Sequence, residues 1–179
     1  MGGVPGLTHS AGQFLCLKDH SMRRHILAAA ALLAASLPAS AETWGVNDVP
    51  SQAPTGQWSC MLWYGEGPPM MNITLMSDRN FITVAAPQFA AVADGAEGRI
   101  AYASGRGGTI ALRKAADRPE AVFVFFPDEM VDAILDQFRA QGTFSLTSDE
   151  ASASFPVPGL GSGIEILKTC VDAFPAEAE

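Results

Sequence analysis

The sequence predicts a mainly β fold, an antiparallel β-sandwich or partly open barrel with one packed helix and a C-terminal helix. Three observations carry that prediction. From Trp58 to Phe126 the apolar residues come in short runs, most of them alternating, with Gly, Pro, Asn and Asp between them. After Phe126 the apolar spacing changes to that of a helix, twice. Once a leader is set aside, the remaining chain has the length of one domain.

The leader occupies residues 22–41. Arg23, Arg24 and His25 follow Met22, and Ile26 to Ala35 is an unbroken run of ten apolar residues. Ala39-Ser40-Ala41 then offers the small residues that a signal peptidase reads, so cleavage is expected between Ala41 and Glu42. Ten apolar residues fall short of the roughly 20 that cross a bilayer as a helix, so a secretory signal is the reading and a membrane anchor is not. Residues 1–21 show no element pattern and read as an upstream extension of the reading frame.

Within the rest, residues 42–57 hold Pro50, Pro54 and Gly45 and are expected to form an extended N-terminal arm. Residues 58–179 make a single β-rich domain. Trp58 to Tyr64 is an apolar strand that Gly65-Glu66-Gly67-Pro68-Pro69 ends. Met71 to Met76 alternates around Ile73 and Leu75, and Ser77 to Asn80 turns the chain into Phe81 to Ala86. Pro87 stops that strand, and Gln88 to Ala93 fits neither template. Ile100 and Tyr102 alternate toward a hairpin loop at Ser104 to Gly108, with Ile110 and Leu112 on the return. Ala121 to Phe126 is apolar at every position, which predicts a central strand covered on both faces. Met130, Val131, Ile134, Leu135 and Phe138 lie at helical spacing, with Pro127 before them and Gly142 after. Phe144 and Leu146 form a short strand, and Ala151 to Phe155 reads as another. Ile164, Leu167, Cys170 and Val171 share one face of a last helix over about 161–173.

Charge narrows the partners. Of eleven basic and nineteen acidic residues, Lys18, Arg23, Arg24 and Asp19 precede Glu42, leaving eight basic against eighteen acidic and a net charge of −10. Such a surface argues against nucleic acid, because phosphate contacts need Lys and Arg. The mature chain also has no expected transmembrane segment and no expected cofactor.

The same cut removes most apparent chemistry. All three histidines (His9, His20, His25) and Cys16 lie upstream of Glu42. A Ser-His-Asp or Cys-His site is therefore excluded in the mature chain, as is a His-ligated metal. Cys60 and Cys170 remain, and in an oxidising compartment two cysteines predict one disulfide. It would close a loop of about 110 residues, worth roughly 4–5 kcal/mol in the chain-entropy model. No C-x-x-C is present to suggest a redox pair.

Asp128, Asp132 and Asp136 recur every fourth residue and would line one helix face, beside Glu129. They read as a solvated stripe, with the first of them favouring the positive end of the helix dipole. Met61, Met70, Met71 and Met76 fall close together. In a periplasm, thioethers suit Cu(I), so a Met-based copper-handling role is one alternative, against ordinary core packing. Arg99, Arg106, Arg113, Lys114 and Arg118 make a basic cluster that reads either as a patch for an anionic ligand or as the exposed sides of strands. Gly105-Arg106-Gly107-Gly108 lacks the spacing of a phosphate-binding loop and is a turn. Asn72-Ile73-Thr74 matches a glycosylation sequon only by chance. Ser162 and Lys168 share a helix six positions apart, and Ser104 has no nearby lysine, so no Ser/Lys pair has recognisable spacing.

The signal peptide, the Trp58-Ser59-Cys60 strand, and the run from the Met130–Phe138 helix through Phe155-Pro156-Val157-Pro158-Gly159 to a helix ending in Cys170 resemble small periplasmic proteins of alphaproteobacteria. The last third is similar to the invasion-associated locus B family. That resemblance implies a β-sandwich-like secreted protein with an interaction or envelope role, and transfers no catalytic residue. The expectation is thus a periplasmic or secreted binding protein without catalysis, whose partner is a protein or small ligand of the envelope. A carboxylate- or Ser/Lys-based envelope hydrolase and the copper-handling role are the alternatives.

Overall fold

A computed structural model of the chain describes residues 43–176. The upstream extension, the leader and its cleavage point lie outside the described residues, as do Cys16 and the three histidines.

The expected architecture is present as two antiparallel sheets packed face to face. The larger contains β1 (Trp44–Val46), β2 (Ser51–Gln52), β3 (Trp58–Tyr64), β4 (Met70–Met76), β5 (Asn80–Ala85), β8 (Arg113–Ala115) and β9 (Arg118–Phe126). Its order is β1-β3-β4-β5-β9-β8, with β2 also paired to β3. The smaller is built from β6 (Glu97–Ala101), β7 (Gly107–Ala111), β10 (Gln141–Ser148) and β11 (Ser152–Pro158), in the order β11-β10-β6-β7. Helix α1 (Val131–Gln137) follows β9, and α2 (Gly161–Asp172) ends the described fold.

Alternation decides which side chains enter the core. Along β3, Cys60, Leu62 and Tyr64 are buried, and along β4 the inward row is Met71, Ile73 and Leu75. Phe144, Leu146, Phe155 and Val157 face them from the smaller sheet. Ring contacts run through this interior from Trp44 to Tyr64 (5.4 Å), Tyr64 to Phe155 (5.8 Å), Phe155 to Phe144 (6.3 Å), Phe144 to Phe138 (5.4 Å) and Phe138 to Tyr102 (5.7 Å). These separations are those of edge-on and offset aromatic pairs, which add to the area they bury.

The stretch read as an extended arm is extended, and it is pinned to the sheet: Trp44 stands opposite Tyr64, and Ser51 opposite Ser59. Its prolines fall outside the short strands, Pro50 just before β2 and Pro54 in the turn between β2 and β3, where no ladder donor is required. Gln88 to Ala93 resolves into a 3-10 turn at Pro87–Ala91 that drops Phe89 into the core. The loop at Ser104 to Gly108 is the β6–β7 hairpin as expected. Gly107 is required there by close approach, since a Cβ would collide with the carbonyl oxygen of Ile100. Gly107→Ala is expected to lower stability by about 1–3 kcal/mol, read as an earlier urea midpoint, because backbone cannot move aside as a side chain can.

Cys60 and Cys170 are joined, with Cα atoms 6.0 Å apart and both sulfurs buried. The bond fastens α2 to the inner face of β3. Gly163 permits that approach, as a Cβ there would already stand 3.3 Å from Leu62 Cδ1. The two ends of the sandwich differ. At one, the chain passes from β7 to β8 through fully buried Leu112, whose N–H donates to the Ala96 carbonyl (2.9 Å). At the other, the Trp44 indole Nε1 donates to the carbonyl of Pro156 on β11 (2.9 Å).

Ala121 to Phe126 lies inside the sheet as expected, between β5 and β8, but it is not covered on both faces. Val122, Val124 and Phe126 point into the core, whereas Phe125 is 50% exposed and Phe123 half-buried. The unbroken apolar run therefore signals two apolar faces, one in the core and one open.

Candidate functional site

The outward face of the large sheet is assembled by register. Phe81 on β5 stands opposite Phe125 on β9, and Thr83 opposite Phe123. The Phe123 row continues to Arg113 on β8, and the Phe81 row to Thr74 and Met61. Three phenylalanines consequently meet on this face. Phe81 lies 5.5 Å from Phe123 at 73° and 5.5 Å from Phe125 at 57°, and Phe123 stacks on Phe125 at 6.2 Å. They floor an open groove of about 400 Å³, which Met76 extends and Thr55 and Gln57 of the N-terminal stretch border.

Two arginines rim the groove. Arg79, in the β4–β5 turn, is tied to Asp78, with Nη2 at 2.5 Å from Oδ2 and Nε at 3.1 Å from Oδ1. That hydrogen bond holds the Asp78 carboxyl below its ordinary pKa and raises the guanidinium's. Arg113, on the Phe123 side, is held far more loosely. Its Nε is 3.9 Å from Asp94 Oδ1, and both side chains are 59% exposed. Lys114 lies next to Arg113 but in the row of Val122, and its ammonium donates to the carbonyls of Phe89 (2.6 Å) and Pro119.

The sequence-level basic cluster is therefore divided. Arg113 and Lys114 lie at the groove, while Arg99 and Arg106 border a separate shallow depression on the smaller sheet. Arg79, which sequence reasoning did not single out, joins Arg113 because β5 and β8 flank the same strand.

The four methionines do not form one cluster. Met71 is buried in the core, and Met61, Met70 and Met76 are on the outward face. Met70 and Met76 are six residues apart on one strand, about 20 Å at the usual rise, and Met61 stands diagonal to Met76. The acidic stripe finds partners instead of forming a site. Asp128 accepts a hydrogen bond from Asn80 Nδ2 (2.6 Å), Asp132 pairs with Lys168 (2.6 Å) and Asp136 with Arg139 (2.9 Å). Arg139 also reaches Glu165 (2.6 Å), so these pairs lace α1 to α2. The sequon's Asn72 and Thr74 are buried and hydrogen-bonded to each other (3.1 Å). Ser104 Oγ donates to Gln137 Oε1 (2.6 Å), while Lys114 is engaged by the Phe89 carbonyl and Lys168 by Asp132.

Two further depressions exist among the described residues. One of about 490 Å³ lies over Asn80 and Asp128, and another of about 660 Å³ follows the seam between Trp44 and Pro156. No cation lines either of them. Among the described residues no helix is long and apolar enough to cross a membrane. In comparison with known proteins, the chain matches no family model, no curated protein and no solved structure.

Proposed function

We propose that this chain is an exported protein of the periplasm or cell exterior that binds a ligand without catalysing its conversion, and that it binds through the groove on the large sheet. The observation that carries this reading is the trio Phe81, Phe123 and Phe125 on the outward face, in mutual contact, with Phe125 half exposed and the other two rings partly buried beside it. Burying one such side chain is worth about 1.5–3 kcal/mol, and the core already has its own aromatic series. A contiguous aromatic patch left outside is the usual mark of a surface that a ligand or partner covers. Export is supported by the leader pattern and by a disulfide of the kind that persists in oxidising compartments.

The test uses the exported chain, whose N-terminus is expected at Glu42 on Edman degradation. Titration with the neutral apolar dye N-phenyl-1-naphthylamine should give one saturable site with enhanced fluorescence. Phe125→Ser should weaken it about tenfold, the loss of ~1.4 kcal/mol expected when half a ring's contact area is removed. The urea midpoint should hardly move, since that ring is half exposed. Failure of the dye to bind, or binding indifferent to Phe125, would overturn the reading.

A further inference from the structure

We propose that the groove takes a single-chain carboxylate amphiphile, its alkyl chain on Phe81, Phe123 and Phe125 and its carboxylate on Arg113. This rests on the reading of the groove as a binding site and adds the ligand's chemistry. Charge is the first argument. From Glu42 onward the chain has eighteen acidic residues and eight basic ones, yet no carboxylate lines this groove and two arginines do. In an acidic protein that segregation makes the groove a place where an anion is favoured over a cation, and, unlike the shallow depression at Arg99 and Arg106, it joins that charge to an aromatic floor.

The second argument is the state of Arg113. Its nearest carboxylate is at 3.9 Å, beyond a hydrogen bond, and that oxygen of Asp94 already accepts the Lys114 N–H (3.0 Å). Among the described residues the Arg113 guanidinium donates no hydrogen bond, which leaves its fork of donors for a bidentate carboxylate. Arg79 has its Nε–Nη2 fork engaged by Asp78, whose charge offsets its own. Third, register sets Arg113 directly beside Phe123, so head and tail contacts are adjacent. Fourth, about 400 Å³ falls in the range of small-molecule sites, near 300–1,000 Å³, and an open groove admits a chain lying flat.

The experiment displaces the same neutral dye with dodecanoate, 1-dodecanol and dodecyltrimethylammonium, each below its micelle concentration. Dodecanoate should displace about tenfold more tightly than the alcohol, the worth of a charge-assisted hydrogen bond at a partly exposed site, and the ammonium compound should be weakest. Arg113→Gln should abolish the carboxylate's advantage, read as the ratio of dodecanoate to dodecanol affinity within the variant itself. Arg113→Lys should restore only part, because a point charge lacks the fork. Roughly 0.5 M salt should shrink the advantage through screening. Equal displacement by all three compounds would overturn the carboxylate assignment while the groove remains a binding site. No dye binding would remove both. A dimer in sedimentation that Phe125→Ser dissociates would assign the face to a second copy and overturn the proposal.

Discussion

Replacing both cysteines, Cys60→Ala with Cys170→Ala, is expected to destabilise the protein by about 3–5 kcal/mol. The bond spans 110 positions, so in its absence the unfolded chain gains nearly the whole loop's freedom. A native-state effect adds to this. Both side chains are buried between α2 and β3, and alanine leaves space where two sulfurs packed. In urea the midpoint should fall by about 2 M at a slope of 1–3 kcal/mol/M, with a steeper slope because the unlinked chain exposes more surface. A loss below about 1 kcal/mol would mean that the denatured chain is already compact. Dithiothreitol alone should act slowly on the folded protein, since neither sulfur is accessible until α2 lifts.

Phe144→Ala is expected to cost a comparable 3–5 kcal/mol. Phe144 is fully buried and touches the rings of Tyr102 (6.0 Å), Phe138 (5.4 Å) and Phe155 (6.3 Å), so it joins β6, α1 and β11 across the smaller sheet. Its removal opens a cavity that these neighbours, at the ends of β6 and α1 and within β11, fill incompletely. Phe125→Ala should cost less than about 1 kcal/mol in the same measurement, since half of that ring is already in water. Near-equal losses at the two positions would show that the outward aromatic row serves folding, and would remove the reason for calling it a binding surface.

The sequential pairing of β3, β4 and β5, the change to helices and the partnership of Cys60 with Cys170 are legible in sequence because each is local or forced by composition, whereas the departure of β6 and β7 to the smaller sheet is not. Alternation in Met71 to Met76 states which residues go inside, and two cysteines leave one pairing. The binding face is not legible in that way. AVFVFF satisfies a covered strand and a strand with one open apolar face equally, because periodicity reports hydrophobicity and not what lies above it. Phe81 and Phe123 are forty-two positions apart, and Arg79 and Arg113 belong to different hairpins; only the pairing of β5 with β9 and of β9 with β8 gathers them. The same holds for the aspartate stripe, whose spacing was plain but whose partners Lys168 and Asn80 come from α2 and β5. The pinned arm was hidden by its own prolines, which break the pattern of β1 and β2 into pieces too short to read.

The hydrogen bond from Trp44 to Pro156 bears on how the molecule behaves in a crowd of its own kind. A strand at the margin of a sheet grows fibrils when its outward N–H and C=O groups accept another chain. On β11 the outward positions include Pro156 and Pro158, which have no N–H to offer, and the Pro156 carbonyl is already occupied by the indole. The β11 margin of the smaller sheet is thus poorly suited to template a neighbour, and the three outward phenylalanines lie on the face of the other sheet, away from that rim.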